Sequence, residues 1–183
     1  VVKMLRRGGF GTALNERIGL YFDPPDFEPS HAIHLHAISV GETIIALKLL
    51  CEWKNIHPEA RFVLATGTAT GHQTATGANI PDLRVTYAPL DFTWMIKNYL
   101  KRFEPSQIVL IEGETWPNLL RFAEKKHIPV SLANARISPR SARRFNFFAS
   151  YLRPFFSKIS CVCIQEKEHR SIWENLGIHS DNI

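Results

Sequence analysis

The sequence predicts an α/β fold with a doubly wound, Rossmann-like parallel sheet. From residue 32 onward, short apolar runs bounded by turn residues alternate with amphipathic stretches of helical periodicity. Runs of this length that are rich in β-branched and aromatic residues are typical of buried strands. Alternation at this pace indicates βαβ units with right-handed crossovers. The six predicted strands are Ile33–Ile38, Arg61–Ala65, Arg84–Ala88, Gln107–Ile111, Ile128–Leu132 and Cys161–Ile164.

Three helices can be placed between these strands. The first covers Thr43–Asn55, and Asp91 is a suitable N-cap for a second helix that ends before Pro105. Pro117 suits the first position of a third helix, which continues to Lys126. The predicted apolar face of the first helix consists of Ile44, Leu47 and Cys51.

The size and composition fit one domain with a full-sized core, since 45% of the 183 residues are apolar. Residues 1–30 are basic and rich in glycine and proline, which indicates a connector draped over the domain formed by residues 31–183. Because the chain begins at Val1 and stops at Ile183, we expect it to be a piece of a longer protein.

The net charge of +5 and the pI near 9.3 suit an anionic partner: a nucleotide, a phosphorylated lipid, nucleic acid or a membrane surface. No apolar run approaches the roughly 20 residues that span a bilayer. The three cysteines form no C-x-x-C pair, so we interpret them as reduced structural thiols of a cytosolic compartment.

Polar residues gather at the carboxyl ends of the predicted strands, where open α/β sheets bind ligands. These stretches are Ser39–Glu42, Thr66–Gly71, Pro89–Asp91, Glu112–Glu114, Asn134–Arg136 and Gln165–Glu166. In the common doubly wound order the first and fourth strands are neighbours, which would place Glu42 and the pair Glu112 and Glu114 on one crevice. We therefore expect Glu42 and Glu114 to lie within roughly 10 Å of each other, which is two strand spacings.

The first two stretches allow two interpretations each. Gly41 would let the backbone come close to a ligand, and Glu42 would face that ligand from a first helical turn; alternatively, Glu42 is only a helix-start charge. The second stretch resembles a phosphate-cradling loop, although it is neither a Walker A motif nor G-x-G-x-x-G, and an ordinary capped turn fits it equally. Its candidate binding residues are Thr66, Thr68, Thr70 and Gly71.

The acidic stretch, Glu112–Asn118, carries two carboxylates and Trp116, which is more than a helix cap needs. An unpaired buried acid is costly, so we expect Glu112 to be the more buried acid and to serve with Trp116 as a structural anchor. Glu114 is then the acid with access to a ligand.

A basic and aromatic run follows the fifth strand. Asn134, Arg136 and Arg140 are candidate ligands for a phosphorylated substrate, because arginine binds phosphate bidentately. The aromatic residues of the segment 145–156 could hold acyl chains or stack on bases, but we expect them to form a core face. His34 and His36 lack a matching Cys and His set, so we expect neither a metal site nor a cofactor.

Taken together, these stretches resemble the amino-terminal domain of the Kdo transferases, which attach 3-deoxy-D-manno-octulosonic acid (Kdo) to the lipid A precursor. The resemblance covers nearly the whole chain and rests on six motifs in the family's order and spacing, with Arg17-Ile-Gly19 similar as well. The six motifs are His36–Glu42, Thr66–Gly71, Tyr87–Asp91, Glu112–Asn118, Asn134–Ser141 and Gln165–Glu166. The chain departs from the usual family pattern at Gly67, Gly113 and Thr115.

The resemblance implies the N-terminal half of a GT-B fold, whose missing C-terminal half mainly holds the donor CMP-Kdo. It implies that this half receives the lipid A precursor at the cytoplasmic face of the bacterial inner membrane, held there by an anchor outside this chain. It also implies that Glu42 matches the family's general base and Glu114 its second essential acid. An inverting transfer needs such a base, and we expect it to proceed without a metal.

Two rival functions stay open at this point. Another GT-B sugar-nucleotide transferase or epimerase would keep the fold and change the acceptor. A non-catalytic nucleic-acid-binding module would account for the basic charge and the aromatic run. It would leave the acids at the strand ends repelling phosphate, so we expect no nucleic-acid partner.

Overall fold

Six strands form the sheet of this protein in a computed structural model, which describes residues 12–21, 31–113, 116–137 and 139–183. The strands are β1 (Ile33–Ala37), β2 (Phe62–Thr66), β3 (Leu83–Tyr87), β4 (Gln107–Ile111), β5 (Val130–Ala135) and β6 (Cys161–Ile164). The sheet is parallel and its strand order is β3-β2-β1-β4-β5-β6. The predicted α/β class and the predicted adjacency of the first and fourth strands are confirmed.

Helices connect the strands, as expected for βαβ units. They are α1 (Thr12–Arg17), α2 (Val40–Ile56), α3 (Ala69–Gly77), α4 (Thr93–Phe103), α5 (Pro117–Lys125), α6 (Pro139–Phe147), α7 (Ala149–Phe156) and α8 (Arg170–Asn175). Two 3₁₀ turns follow β6, at Lys167–His169 and Ser180–Asn182. The chain forms two compact units, Val1–Ile108 and Val109–Ile183.

The core of the first unit is built on β1 and β2. All five residues of β2 are buried, as are four of the five in β1, as expected for strands of a parallel sheet that is covered on both faces. The predicted core face of α2 is wrong, because Ile44 and Cys51 are exposed. The buried face consists of Glu42, Thr43, Ala46 and Leu50, and the small side chains of Thr43 and Ala46 allow close approach to the sheet.

Helix α4 packs a strongly apolar face and ends as predicted before Pro105, at a left-handed Glu104 (φ 42°). Its predicted N-cap is wrong. The Phe92 N–H donates to the Leu90 carbonyl (2.7 Å) in a tight turn, so the cap position falls on Phe92 rather than Asp91.

The two histidines of β1 belong to this core. His34 and His36 are buried, and His34 Nδ1 forms a 2.6 Å hydrogen bond with the Tyr99 hydroxyl. Burial lowers the pKa of His34 and lowers that of His36 to about 4. Both rings are therefore neutral at pH 7 and pack edge-on against Tyr99.

The second unit has its own aromatic core, centred on Trp173 and Phe156, whose ring centroids lie 5.9 Å apart. Pro117 begins α5 as predicted. Strand β5 begins later than predicted, since the Ile128 N–H still bonds to the Ala123 carbonyl of α5 (2.9 Å). The prediction that the aromatic residues after β5 form a core face is wrong for Phe147, Phe148 and Tyr151, which are exposed.

Candidate functional site

Glu42 lies in the first turn of α2, directly after β1, and only 7% of its surface is exposed. The N-cap is Ser39, whose Oγ accepts a hydrogen bond from the Glu42 N–H (3.2 Å). The carboxylate turns back, and its Oε2 accepts from the Ile38 N–H at 2.8 Å. This arrangement resembles a capping box in which the acid reaches one residue beyond the cap. Glu42 is therefore a helix-start group whose carboxylate is also held at the strand end.

The turn after β2 is pressed against this position. The Gly67 N–H donates to the Ala37 carbonyl (3.1 Å), and a Cβ on Gly67 would lie 2.4 Å from Ile38 Cγ2. A Cβ on Gly71 would lie 2.9 Å from Thr43 Oγ1. Both glycines are therefore required by packing between the two turns. The departure of this chain from the usual family pattern at Gly67 therefore has a steric reason.

The hydroxyl-bearing residues of this turn have different surroundings. Thr68 caps α3, with its Oγ1 accepting from the Gly71 N–H (3.1 Å), and Thr70 is exposed in the first turn. Thr66 is fully buried, and its hydroxyl donates to the Thr86 carbonyl (3.2 Å). We therefore remove Thr66 from the candidate ligand-binding residues. Gly41 is exposed beside Ser39, and a Cβ there would meet only Ser39 Oγ, at 3.9 Å.

Two residues near these turns, Arg17 and Tyr87, are not among the predicted site residues. The Arg17 guanidinium lies 4.5 Å from the Tyr87 ring centroid, and its Nη2 donates to the Gly67 carbonyl. The Tyr87 ring also stacks on His72, with 4.3 Å between centroids and 14° between planes. The sequence feature that could have indicated them is their position in Arg17-Ile-Gly19 and Tyr87–Asp91, two stretches that carry the family resemblance.

In the second unit, the acidic stretch leaves β4 through two left-handed residues, Glu112 (φ 68°) and Gly113 (φ 128°). The Glu112 N–H donates to the Ala133 carbonyl (3.0 Å), and its carbonyl accepts from the Arg136 N–H (3.2 Å). Trp116 is buried at the N-cap position of α5. A Cβ on Gly113 would have ordinary space, so the backbone conformation is what favours glycine there.

The next turn begins inside β5 rather than after it. Asn134 has a left-handed backbone (φ 56°) next to an irregularity in the pairing of β5 with β6, and its Oδ1 accepts from Gln165 Nε2 (2.5 Å). Arg136 is exposed. Asn134 is thus held by Gln165, and Arg136 is held through its backbone N–H by the Glu112 carbonyl.

Two of the predicted site residues fall outside the part of the chain that the structure describes, one entirely and one in its side chain. Glu114 lies outside the described residues, so its approach to within roughly 10 Å of Glu42 stays a prediction. The side chain of Arg140 also lies outside them. Among the described residues, no group of three or more His, Cys, Asp or Glu side chains could hold a metal ion. The described part of the chain contains no helix that is both long and apolar enough to cross a membrane.

Comparison with known proteins agrees with this arrangement of motifs. The profile of the family described as 3-deoxy-D-manno-octulosonic-acid transferase (kdotransferase) matches residues 12–183. The chain belongs to the kdotransferase family. The match begins at the first residue of α1, so the family region includes the last part of the predicted connector.

Curated relatives carry the same designation. A 3-deoxy-D-manno-octulosonic acid transferase of Haemophilus influenzae is 30% identical over 170 residues, which is 93% of this chain and 40% of the relative. One of Chlamydophila psittaci is 28% identical over 183 residues, or 99% of this chain and 42% of the relative. A probable mitochondrial transferase of that name from Arabidopsis thaliana is 29% identical over 118 residues, or 64% and 26%. The chain thus spans about two fifths of the length of the first two relatives.

Proposed function

We propose that this chain is the acceptor-binding, N-terminal half of a GT-B Kdo transferase. The whole enzyme would transfer Kdo from CMP-Kdo to the lipid A precursor in lipopolysaccharide biosynthesis. The observation that carries the proposal is the Glu42 carboxylate, held at the end of β1 by the Ile38 N–H. Family membership supports the reaction class.

In the proposed reaction Glu42 is the general base. A hydroxyl of the acceptor attacks the anomeric carbon of Kdo, and Glu42 takes the hydroxyl proton. The new bond joins the acceptor oxygen to that carbon, while the bond from the carbon to the phosphate oxygen of CMP breaks and its electron pair leaves with CMP. Because attack and departure occur on opposite faces, the configuration inverts. The hydrogen bond to Oε2 fixes the orientation of the carboxylate while its second oxygen can accept the proton.

Acceptor binding is assigned to two groups of residues. The residues beside Glu42 offer hydroxyls and backbone groups at the starts of α2 and α3, where helix dipoles favour phosphate. The basic segment of the second unit offers arginine. The first group is Ser39, Gly41, Thr68, Thr70 and Gly71; the second is Asn134, Arg136 and Arg140. We keep Glu114 as a second catalytic acid and Glu112 with Trp116 as its anchor.

An exposed apolar groove supports a membrane-facing role. Its volume is about 680 Å³, and it is lined by Phe145, Phe148, Tyr151 and Leu152. Phe147 is 81% exposed beside the groove. Arg143 on α6 and Arg153 on α7 are also exposed. Apolar and basic residues together suit an anionic lipid surface, which we propose is the cytoplasmic face of the bacterial inner membrane. Co-flotation of the full-length protein with anionic but not neutral vesicles would support this placement; equal flotation would refute it.

The function is tested by incubating the full-length protein with CMP-Kdo and lipid A precursor and measuring the product by mass spectrometry. We expect Kdo addition by the full-length protein and none by residues 1–183 alone, because the donor half is missing. Transfer from another sugar nucleotide but not from CMP-Kdo would favour a different GT-B enzyme. Tight binding of single-stranded oligonucleotide without any transfer would favour the nucleic-acid module.

We expect Arg136→Ala to weaken use of the bis-phosphorylated acceptor more than use of a dephosphorylated analogue. The lost interaction is a charged hydrogen bond to phosphate, worth about 1.5–3 kcal/mol. The measurement is kcat/KM on both acceptors, with Arg121→Ala as a control because Arg121 is exposed on α5 of the same unit. Equal losses on both acceptors would leave Arg136 a structural role, through the turn it shares with Glu112.

A further inference from the structure

The end of α1 is attached to both turns that follow β2 and β3. Arg17 Nη2 donates to the Gly67 carbonyl (2.8 Å), and the Arg17 carbonyl accepts from the Leu90 N–H (2.9 Å). The neighbouring Glu16 holds the end of β3, because its Oε2 accepts from the Tyr87 N–H (2.8 Å) and from the Thr86 hydroxyl (3.0 Å). A segment that the sequence placed in a connector is thus part of the first unit.

The buried position of Arg17 is energetically unfavourable for a charged side chain. It is only 4% exposed, and its Nη1 is buried without a hydrogen-bond partner among the described residues. A buried charge with incompletely satisfied donors costs stability, even though the Tyr87 ring and the nearby Glu16 carboxylate offset part of that cost. A neutral apolar residue could be buried here at a smaller cost in folding free energy, so stability alone is a weak reason for an arginine.

Three contacts connect Arg17 to Glu42. The first is the hydrogen bond from Arg17 to the Gly67 carbonyl. The second is the close packing of Gly67 on Ile38, where any Cβ would lie 2.4 Å from Ile38 Cγ2 and 2.5 Å from the Ile38 carbonyl oxygen. The third is the hydrogen bond from the Ile38 N–H to Glu42 Oε2. A shift of the Gly67 turn would therefore move the backbone that holds the carboxylate.

We propose that Arg17 is a positioning residue for Glu42, acting through the Gly67 turn and the Ile38 backbone. This inference rests on the proposed function, in which Glu42 is the base. Arg17 contacts neither substrate in this account. Its guanidinium sets the place of Gly67, and Gly67 sets the place of the Ile38 N–H. Misplacing a base by about 1 Å can lower a rate on the order of 100-fold, so the effect belongs to kcat.

The test uses the full-length enzyme with Arg17→Ala and Arg17→Lys. We expect Arg17→Ala to lower kcat on the order of 10- to 100-fold with little change in KM, and Arg17→Lys to lower it less. Glu16→Ala is the control, because it removes both hydrogen bonds from Glu16 to the end of β3 and leaves the hydrogen bond from Arg17 to Gly67. An equal loss of kcat in Glu16→Ala would mean that only the docking of α1 matters, which would overturn the proposal.

A double-mutant cycle separates positioning from general destabilisation. If Arg17 acts through Glu42, adding Arg17→Ala to Glu42→Gln should leave the residual rate unchanged. The same fold-loss in both backgrounds would contradict the proposal. Should Arg17→Ala fail to fold, Arg17→Lys supplies the same cycle.

Hydrogen exchange gives a readout that does not need activity. The Ile38 amide should exchange faster in both Arg17 variants than in the wild-type protein, because its acceptor carboxylate is no longer held in register. Unchanged exchange at Ile38 overturns the positioning step whatever the assay shows. If the wild-type protein transfers no Kdo, the proposed function fails, while faster exchange at Ile38 in the Arg17 variants would still establish that Arg17 is coupled to the Ile38 amide.

Discussion

Glu42→Gln should lower the transfer rate of the full-length enzyme on the order of 100- to 10,000-fold, the usual contribution of a general base. The substitution removes the proton acceptor and keeps the shape. The amide oxygen of glutamine can still accept from the Ile38 N–H, so the turn at the start of α2 should persist. The measurement is kcat under saturating donor and acceptor.

The control for this variant is Glu52→Gln, which makes the same charge change on an exposed position of the same helix. We expect Glu52→Gln to leave kcat unchanged. Circular dichroism should show both variants folded. Turnover by Glu42→Gln at the wild-type rate would mean that Glu42 is only a helix-start charge.

Trp173→Ala should have the largest effect on stability, lowering the free energy of unfolding of the second unit by about 3–5 kcal/mol. Trp173 is fully buried, and its ring packs against Phe156 and Phe145. Its Cη2 also lies 3.7 Å from the place that a Cβ of Gly113 would occupy. Truncation would leave a large cavity below the acidic stretch.

The matched control is Trp94→Ala, since Trp94 is 49% exposed on α4. Surface truncations of this kind usually change stability by less than about 0.5 kcal/mol. Urea unfolding followed by circular dichroism measures both variants. A similar loss in the two variants would show that Trp173 does not organise the core of the second unit.

The strands were predictable because each is a short apolar run that is buried in the sheet. The six predicted strands all exist, and the adjacency of the first and fourth followed from the usual doubly wound order. The core face of α2 was missed because the helix packs small residues, Thr43 and Ala46, against its surroundings. Periodicity counts large apolar residues, and here Ile44 lies on the exposed side.

The place of Glu42 was also predictable, because Ser-x-x-Glu after an apolar run is a helix-start pattern. The hydrogen bond to the residue before the cap was not predictable, since it depends on the exact turn of the chain. The proposed role of Arg17 could be inferred only from the tertiary structure. Its partner Gly67 is 50 residues away, and no local pattern relates the two.

The misplacement of Asn134 has a similar cause. The sequence marks the end of β5 by its last large apolar residue, Leu132. The strand continues to Ala135 through a left-handed Asn134, where the pairing with β6 shifts register. Strand irregularities of this kind depend on the neighbouring strand rather than on local propensity.

The distance from the Glu42 carboxylate to the acceptor hydroxyl, in a structure of the full-length enzyme with lipid A precursor bound, tests the central claim most directly. We expect one carboxylate oxygen to lie within about 2.6–3.2 Å of the hydroxyl that receives Kdo, directly or through one water, with Oε2 still bonded to the Ile38 N–H. An acceptor bound with that hydroxyl out of reach of Glu42, in an enzyme that transfers Kdo, would contradict the assignment of Glu42 as the base.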